Sequence, residues 1–136
     1  MSTILIVEDE PLSRLLAEDT VRQLGFDPLG AGSPGEALGL AKHEPLIDIL
    51  FTDVHLGSEL SGWDVATQVR RIHPRVPVVY TSGAAGPEEH QQHGVRGSCL
   101  LPKPYTPDAL AEAIQDVLAI REGRDAVPTL PLMCRK

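Results

Sequence analysis

Short runs of consecutive apolar residues alternate along the chain with longer stretches in which apolar residues recur at helical spacing. The runs predict five strands, at about 3–8, 27–31, 48–53, 77–81 and 98–101. The third run is unbroken in its apolar content, as expected for a strand that is covered on both faces. The alternation therefore predicts an α/β fold with a doubly wound, five-stranded parallel sheet.

The intervening stretches predict helices over about 11–24, 33–42, 62–72 and 106–121. In the first of these helices, apolar residues at helical spacing form a stripe that we expect to face the core. The stripe consists of Leu12, Leu15, Leu16, Val21 and Leu24.

Residues 83–97 carry the weakest helical signal. The segment 87–93 contains no apolar residue, so a helix there gains little from packing, and we expect one or two marginal turns. His90 and His93 lie three residues apart, but no cysteine or further histidine is near in sequence. We therefore expect them to lie on a solvated face rather than in a metal site.

The last 15 residues, 122–136, show no periodicity and contain two prolines. We expect a flexible tail there, after a single domain over 1–121. A tail of this length is too short for a second domain, so we expect no output domain.

Composition and charge exclude some classes of partner and of location. A net charge of −7 and a pI of about 5.1 argue against nucleic acid as a partner, because DNA affinity depends on basic residues that neutralise phosphates. No apolar run approaches the roughly 18 residues of a membrane span, and the first strand begins too early for a signal peptide.

We expect Cys99 and Cys134 to be free thiols in a reducing cytoplasm, since one lies in a buried strand and the other near the C-terminus.

Polar residues with catalytic chemistry follow four of the five predicted strands. Glu8 and Asp9 follow the first strand, Asp53 ends the third, Ser82 follows the fourth and Lys103 follows the fifth. The carboxyl ends of parallel strands lie along one edge of a sheet, where open α/β folds bind their ligands. We therefore expect these side chains to share one site.

The chemistry of this set indicates a magnesium-assisted phosphoryl site. Three neighbouring carboxylates repel one another, and Mg²⁺, which prefers carboxylate, water and phosphate oxygens, relieves that repulsion. Asp53 is then the carboxylate nucleophile that forms an acyl phosphate. Lys103 supplies a positive charge for a phosphoryl oxygen, and Ser82 supplies a hydrogen-bond donor.

Over residues 3–120 the chain resembles a response-regulator receiver domain, the phosphoacceptor half of two-component signalling. The resemblance rests on Glu8-Asp9, Asp53, the Thr81-Ser82-Gly83 turn and Lys103-Pro104, which occur in the order and spacing of that family. It implies a flavodoxin-like sheet with strand order 2-1-3-4-5.

The resemblance also implies roles for the site. Asp53 would be phosphorylated from the phosphohistidine of a sensor histidine kinase or a phosphotransfer protein. Mg²⁺ would be ligated by Asp9, Asp53 and the backbone carbonyl of His55, with Glu8 acting through water.

Lys103 and Ser82 would hold the phosphoryl group. With no output domain, the chain would be a stand-alone regulator that signals by phosphorylation-dependent binding of another protein. It would not be an enzyme, apart from a slow, magnesium-dependent loss of its own phosphoryl group.

Two positions depart from the family. Gly57 stands four residues after Asp53, where proline is usual, and Leu100 stands where the family carries an aromatic switch residue. These departures motivate an alternative, an interaction module of the same fold that acts independently of phosphorylation. A small phosphatase with Asp53 as nucleophile is a third hypothesis, but such enzymes generally need an acid where His55 stands.

Overall fold

The computed structural model describes residues 2–123 and 133–135. Five strands and five helices alternate in the first range, and one further strand lies in the second. The strands are β1 (Thr3–Val7), β2 (Asp27–Ala31), β3 (Ile49–Asp53), β4 (Val78–Ser82), β5 (Ser98–Pro102) and β6 (Met133–Arg135). The helices are α1 (Pro11–Gln23), α2 (Pro34–His43), α3 (Gly62–Ile72), α4 (Pro87–His93) and α5 (Pro107–Arg121).

Strands β1 to β5 form a parallel sheet in the order β2-β1-β3-β4-β5, which confirms the predicted fold class. Alternate residues of β1, β3, β4 and β5 enter two separate cores. In β1, Leu5 and Val7 pack in the core that includes α2 and α3 residues, whereas Ile4 and Ile6 pack with α1 and α5. Both faces of the sheet are therefore covered, and the sheet edge at the strand ends remains available for chemistry.

Local sequence signals account for most helix starts. Ser33, Ser61 and Thr106 each accept a backbone N–H from the first turn of the helix that follows, and so satisfy donors that the helix itself leaves unpaired. Proline opens α1, α2, α4 and α5, where its missing N–H and fixed φ suit the first turn. The helices therefore begin within a few residues of the positions that these capping residues and prolines predict.

The expected core stripe of α1 is confirmed for Val21 but wrong for its leucines. Leu12, Leu15 and Leu16 are 62%, 53% and 59% exposed, while Ala17 and Val21 are buried against the sheet. Alanine allows the helix to approach the sheet closely, and this seating turns the three leucines towards solvent. The helix carries apolar residues on more than one face, so spacing alone did not identify the buried one.

The solvated position expected for His90 is also wrong. Helix α4 forms as a short helix over seven residues, but His90 is only 2% exposed and lies 2.9 Å from the Ser98 hydroxyl of β5 through its Nε2. Its ring packs near Trp63 and Tyr80, with centroids 6.3 and 5.8 Å away. The imidazole of His90 thus fills a buried position that an apolar side chain occupies in the other helices.

The cysteine prediction is overturned as well. Cys99 and Cys134 form a disulfide, and they face each other where β6 pairs antiparallel with the outer edge of β5. The sheet therefore has a sixth strand, within the segment that was expected to be a loose tail. Residues 124–132 and 136 of that tail lie outside the described residues. A pairing across 35 residues depends on the approach of two strands, which local patterns do not encode.

Within residues 2–123 and 133–135, none of the helices has the length and apolar content needed to cross a lipid bilayer.

The disulfide yields a stability prediction. Closing a loop of 35 residues stabilises a fold by about 4 kcal/mol in the loop-entropy model. We expect Cys134→Ser to lower the free energy of unfolding by about that amount, measured by urea unfolding. Reductant should lower the stability of the wild-type chain to the level of Cys134→Ser and leave the variant unchanged. Free thiols in the air-oxidised, unfolded wild-type chain would contradict the pairing.

Candidate functional site

The polar residues singled out in the sequence lie around the carboxyl ends of β1, β3, β4 and β5. Asp53, the last residue of β3, is in register with Thr81, one residue before Ser82. Ser82 is in register with Pro102, which precedes Lys103. The predicted site therefore occupies one edge of the sheet, with strands at fixed spacing beneath it.

Three carboxylates converge at this edge. Glu8, Asp9 and Asp53 each offer an oxygen, and these oxygens lie within 4.8 Å of one another. Glu8 and Asp53 are nearly buried, at 6% and 7% exposure, whereas Asp9 is exposed. The arrangement forms an acidic cluster that can hold a metal ion and opens to solvent on the Asp9 side.

Lys103 enters the same cluster. Its Nζ lies 2.7 Å from Asp53 Oδ2 and 3.1 Å from Glu8 Oε2, so it donates to two of the three acids. When all four groups are charged, three negative charges face one positive charge. The excess negative charge is the condition under which a divalent cation is bound rather than repelled.

The local environment changes the acid strength of two of these groups. Burial raises the pKa of Glu8, and the nearby Asp53 charge adds to this, although the Lys103 hydrogen bond opposes it. For Lys103, burial lowers the pKa, but hydrogen bonds and charge attraction from Asp53 and Glu8 outweigh burial and raise the pKa overall. Lys103 is therefore charged at neutral pH, although it is largely enclosed.

Backbone groups orient the carboxylates. The His55 N–H donates to Asp53 Oδ1 at 3.2 Å, and the Glu10 N–H donates to Glu8 Oε1 at 3.2 Å. The two Asp53 oxygens thus have different partners, an N–H on one and an ammonium on the other. The His55 side chain is exposed, and its backbone carbonyl as a metal ligand stays a prediction.

Two glycines explain how the backbone fits around the cluster. Gly57 has φ +57, and a Cβ there would lie 2.9 Å from Asp9 Oδ2. Proline cannot adopt that φ, which accounts for its absence at this position. Gly62 approaches β3 so closely that a Cβ would lie 2.0 Å from the Asp53 carbonyl oxygen. Sequence reasoning missed Gly62, although a glycine at the first position of a helix was a signal for close approach.

The structure places Ser82 beside this group but gives its side chain a different set of contacts. The Ser82 hydroxyl accepts backbone N–H groups from Ala84 at 3.1 Å and Ala85 at 2.9 Å, and the residue is 2% exposed. Its own carbonyl accepts from the Lys103 N–H at 2.9 Å. Glu8, Asp9, Asp53 and Lys103 are therefore gathered, while the Ser82 hydroxyl holds the turn that leads to α4.

An aromatic residue near the site was not anticipated. Leu100 has no ring, but its register partner on β4 is Tyr80, which is fully buried. The Tyr80 hydroxyl accepts the Val95 N–H at 3.1 Å, and its ring centroid lies 4.5 Å from that of Trp63. The signal was available in the sequence: Tyr80 lies two residues before Ser82 and directly follows two valines of the same strand.

The donors fit a hard divalent cation. Oxygen ligands from two or more carboxylates, one of them exposed to water, match the preference of Mg²⁺ for carboxylates and retained waters. The acids share a surplus of negative charge that Lys103 neutralises only in part. Among the residues that the structure describes, no cysteine or histidine side chain joins this cluster, and its all-oxygen donor set suits a hard cation.

Comparison with known proteins gives a consistent picture. A family model described as the response regulator receiver domain matches residues 4–115. The fold is similar to the crystal structure of a response regulator receiver protein from Sinorhizobium medicae, with 34% identity and a TM-score of 0.81. That similarity covers 88% of this chain and 96% of the other.

Two curated relatives differ in length. The chain is 29% identical over 112 residues to the autoinducer 1 sensor kinase/phosphatase LuxN of Vibrio campbellii, covering 82% of this chain but 13% of that protein. It is 27% identical over 129 residues to the chemotaxis protein CheY homolog of Campylobacter jejuni, covering 90% of this chain and 97% of that protein. The chain thus spans a small part of the first relative and nearly all of the second.

The electrostatics of the site predict a metal-dependent stability effect. Lys103→Met removes two charge-assisted hydrogen bonds, so we expect the free energy of unfolding to fall by about 1–3 kcal/mol, measured by urea unfolding in chelator. Mg²⁺ should then stabilise the variant more than the wild-type chain, because its acids lack the competing ammonium. The exposed Lys42→Met is the matched control and should behave like the wild-type chain. An equal response of both variants to Mg²⁺ would refute the interpretation.

Proposed function

Since the chain belongs to the response regulator receiver family, we propose that it is a phosphoacceptor that takes a phosphoryl group onto Asp53 from the phosphohistidine of a sensor kinase or phosphotransfer protein. The observation that carries the proposal is the Lys103 ammonium 2.7 Å from the Asp53 carboxylate, beside two further acids. A carboxylate held in this way has both a nucleophilic oxygen and a cation ready for incoming phosphoryl charge.

The proposed chemistry is an in-line displacement. An Asp53 oxygen forms the new P–O bond as the P–N bond of the phosphohistidine breaks, and the imidazole nitrogen takes the electron pair. Asp9, Asp53 and the His55 carbonyl would hold Mg²⁺, with Glu8 acting through water. When bound, Mg²⁺ neutralises charge on the phosphoryl oxygens. Lys103 then exchanges its carboxylate partner for a phosphoryl oxygen.

The identity of the partner is also a proposal. One relative is named as a sensor kinase/phosphatase and another as a chemotaxis protein homolog, which supports a kinase as phosphoryl donor.

We propose that the reaction occurs in the cytoplasm and that the chain acts alone through a protein partner. The free-thiol argument for that compartment no longer holds, because Cys99 and Cys134 are paired.

Signalling is proposed to run through Ser82. On phosphorylation, its hydroxyl would donate to a phosphoryl oxygen, and the turn at Ala84 and Ala85 that it now holds would move with it. The turn leads directly into α4, whose His90 is packed on Ser98 of β5. A change in the turn therefore alters the position of α4.

Energetics limit what Ser82 does alone. One hydrogen bond to a charged group contributes about 1.5–3 kcal/mol, whereas inverting a conformational equilibrium from 1:99 to 99:1 needs about 5.5 kcal/mol. The Lys103 contact, or a bound partner, has to add the remainder.

We propose that the protein is not an enzyme, apart from slow loss of its own phosphoryl group. The phosphorylation-independent alternative is not favoured, because the acceptor carboxylate has the neighbours that phosphorylation needs.

The phosphoacceptor role predicts a labelling result. Treatment with a small acyl-phosphate donor and Mg²⁺ should add one phosphoryl group per chain, measured by intact mass. We expect Asp53→Asn to abolish the addition, because an amide oxygen is a poor nucleophile. Asp27→Asn, at an exposed aspartate on β2, is the control and should label normally. Undiminished labelling of Asp53→Asn would exclude this acceptor.

If Ser82 couples phosphorylation to the turn, its hydroxyl is needed for the conformational change but not for phosphorylation of Asp53. We expect Ser82→Ala to accept the phosphoryl group but to show no phosphorylation-dependent change in amide exchange over 84–95. Ser82→Thr keeps the hydroxyl and should keep the change. If Ser82→Ala and the wild-type chain respond alike, the signal does not pass through this hydroxyl.

A further inference from the structure

A second concave site lies at the opposite edge of the sheet, where β4 and β5 begin. A cavity of about 310 Å³ opens there between the end of α3, the start of β4, the start of β5 and the end of α5. Four arginines line it, together with prolines, a glycine and an isoleucine. We call this site the arginine pocket, and its arginines are Arg70, Arg75, Arg96 and Arg121. Strands of five residues, about 16 Å long, separate it from Asp53.

The charge of the arginine pocket is opposite to that of the molecule. The chain carries a net charge of −7, yet four of its 12 basic residues line this one cavity, and none of the acidic residues within 2–123 lines it. Within the described residues, the ion pairs involve Arg22 with Asp19 and Lys103 with the acidic cluster. The four guanidinium groups therefore concentrate positive charge without a carboxylate at ion-pair distance in this part of the chain.

Arg70 is held in position as a binding group would be. Its Nε donates to the Val76 carbonyl at 2.7 Å, which fixes the plane of the guanidinium. A Cβ at Gly97, where φ is +73, would lie 3.3 Å from Arg70 Nη2, so the glycine leaves room for this group. Burial lowers the pKa of Arg70, the usual effect of withdrawing a cation from water. An anion in the pocket would offset that desolvation.

An apolar cavity adjoins the arginine pocket. It measures about 290 Å³ and shares Pro74, Arg75 and Arg121 with it. Its other walls include Ile72 and Leu46, and Leu46 is 64% exposed. A molecule that spans both cavities would place an anionic end among guanidinium groups and a less polar end against aliphatic side chains.

We propose that the arginine pocket binds a nucleoside polyphosphate, with its phosphates among the arginines and its nucleoside against the apolar wall. Guanidinium groups pair with phosphate oxygens in a bidentate way and also stack on planar rings. The cavity volume lies at the lower end of the range of small-molecule sites, about 300–1,000 Å³. A site of that size with no acidic lining suits a compact polyanion better than an extended acidic peptide.

The test is calorimetric titration of the full chain with ATP, pyrophosphate and adenosine in turn, in the presence of chelator. Chelator keeps the acidic cluster from retaining a metal–nucleotide complex, so binding at the two edges is distinguished. We expect ATP to bind more tightly than pyrophosphate and adenosine not to bind. Affinity should fall steeply with salt, as expected for phosphate contacts that several guanidinium groups make.

Substitutions of single lining residues test whether ATP binds in the arginine pocket. Arg75 and Arg96 are exposed, so their replacement leaves the core intact. We expect Arg75→Gln and Arg96→Gln each to weaken ATP binding at least tenfold, as loss of a charge-assisted hydrogen bond predicts. Arg22→Gln, at an exposed arginine on α1, is the control and should bind like the wild-type chain. Leu46→Asn should weaken ATP but leave pyrophosphate unchanged.

Several results would overturn the proposal. Absence of ATP binding at millimolar concentration would do so, as would equal loss in Arg22→Gln and Arg96→Gln. An acidic peptide that displaces ATP and binds more tightly would identify a protein-docking surface instead. Because these measurements need neither Mg²⁺ nor Asp53, they stand or fall separately from phosphorylation at the other edge.

Discussion

The contact between Lys103 and Asp53 depends on the order of the strands more than on any local feature. Asp53 ends β3 and Lys103 follows β5, and β4 lies between them. Adjacent strands are about 4.8 Å apart, so the two backbones are separated by roughly 10 Å. Only a long side chain spans that gap, and the 2.7 Å approach of Nζ to the carboxylate shows that this one does. An order with more than one strand between β3 and β5 would put the carboxylate beyond the reach of the lysine side chain.

The same contact shows how side chains of the protein offset the repulsion among three neighbouring acids. Glu8 and Asp53 are nearly buried, and mutual repulsion would favour protonation or displacement of one of them. Lys103 donates to both, and the His55 N–H adds a further donor to Asp53. The compensation is partial, because burial still raises the pKa of Glu8. A site left with surplus negative charge is stable enough to fold and still favours a divalent cation.

The strands, most helices and the members of the acidic cluster were predictable because they follow from local signals. Apolar runs mark strands, capping residues and prolines mark helix starts, and parallel strands place their ends together. The failures have a common origin. The buried face of α1 depends on Ala17, the burial of His90 on a hydroxyl from β5, and the pairing of Cys99 on β6. Each depends on a distant element, and periodicity along a single segment contains no such information.

Leu100 leaves its position on β5 without an aromatic ring, and the neighbouring residue in register is Tyr80 on β4. Tyr80 on β4 is fully buried. It is fixed at both ends, by Trp63 against its ring and by the Val95 N–H on its hydroxyl. Val95 lies between α4 and β5, and Ser82 lies two residues after Tyr80. A displacement of the Ser82 turn therefore acts on α4 from one side while Tyr80 and His90 hold the helix from the other. Under the proposed function, this packing therefore favours movement of α4 as a body over rotation of one ring.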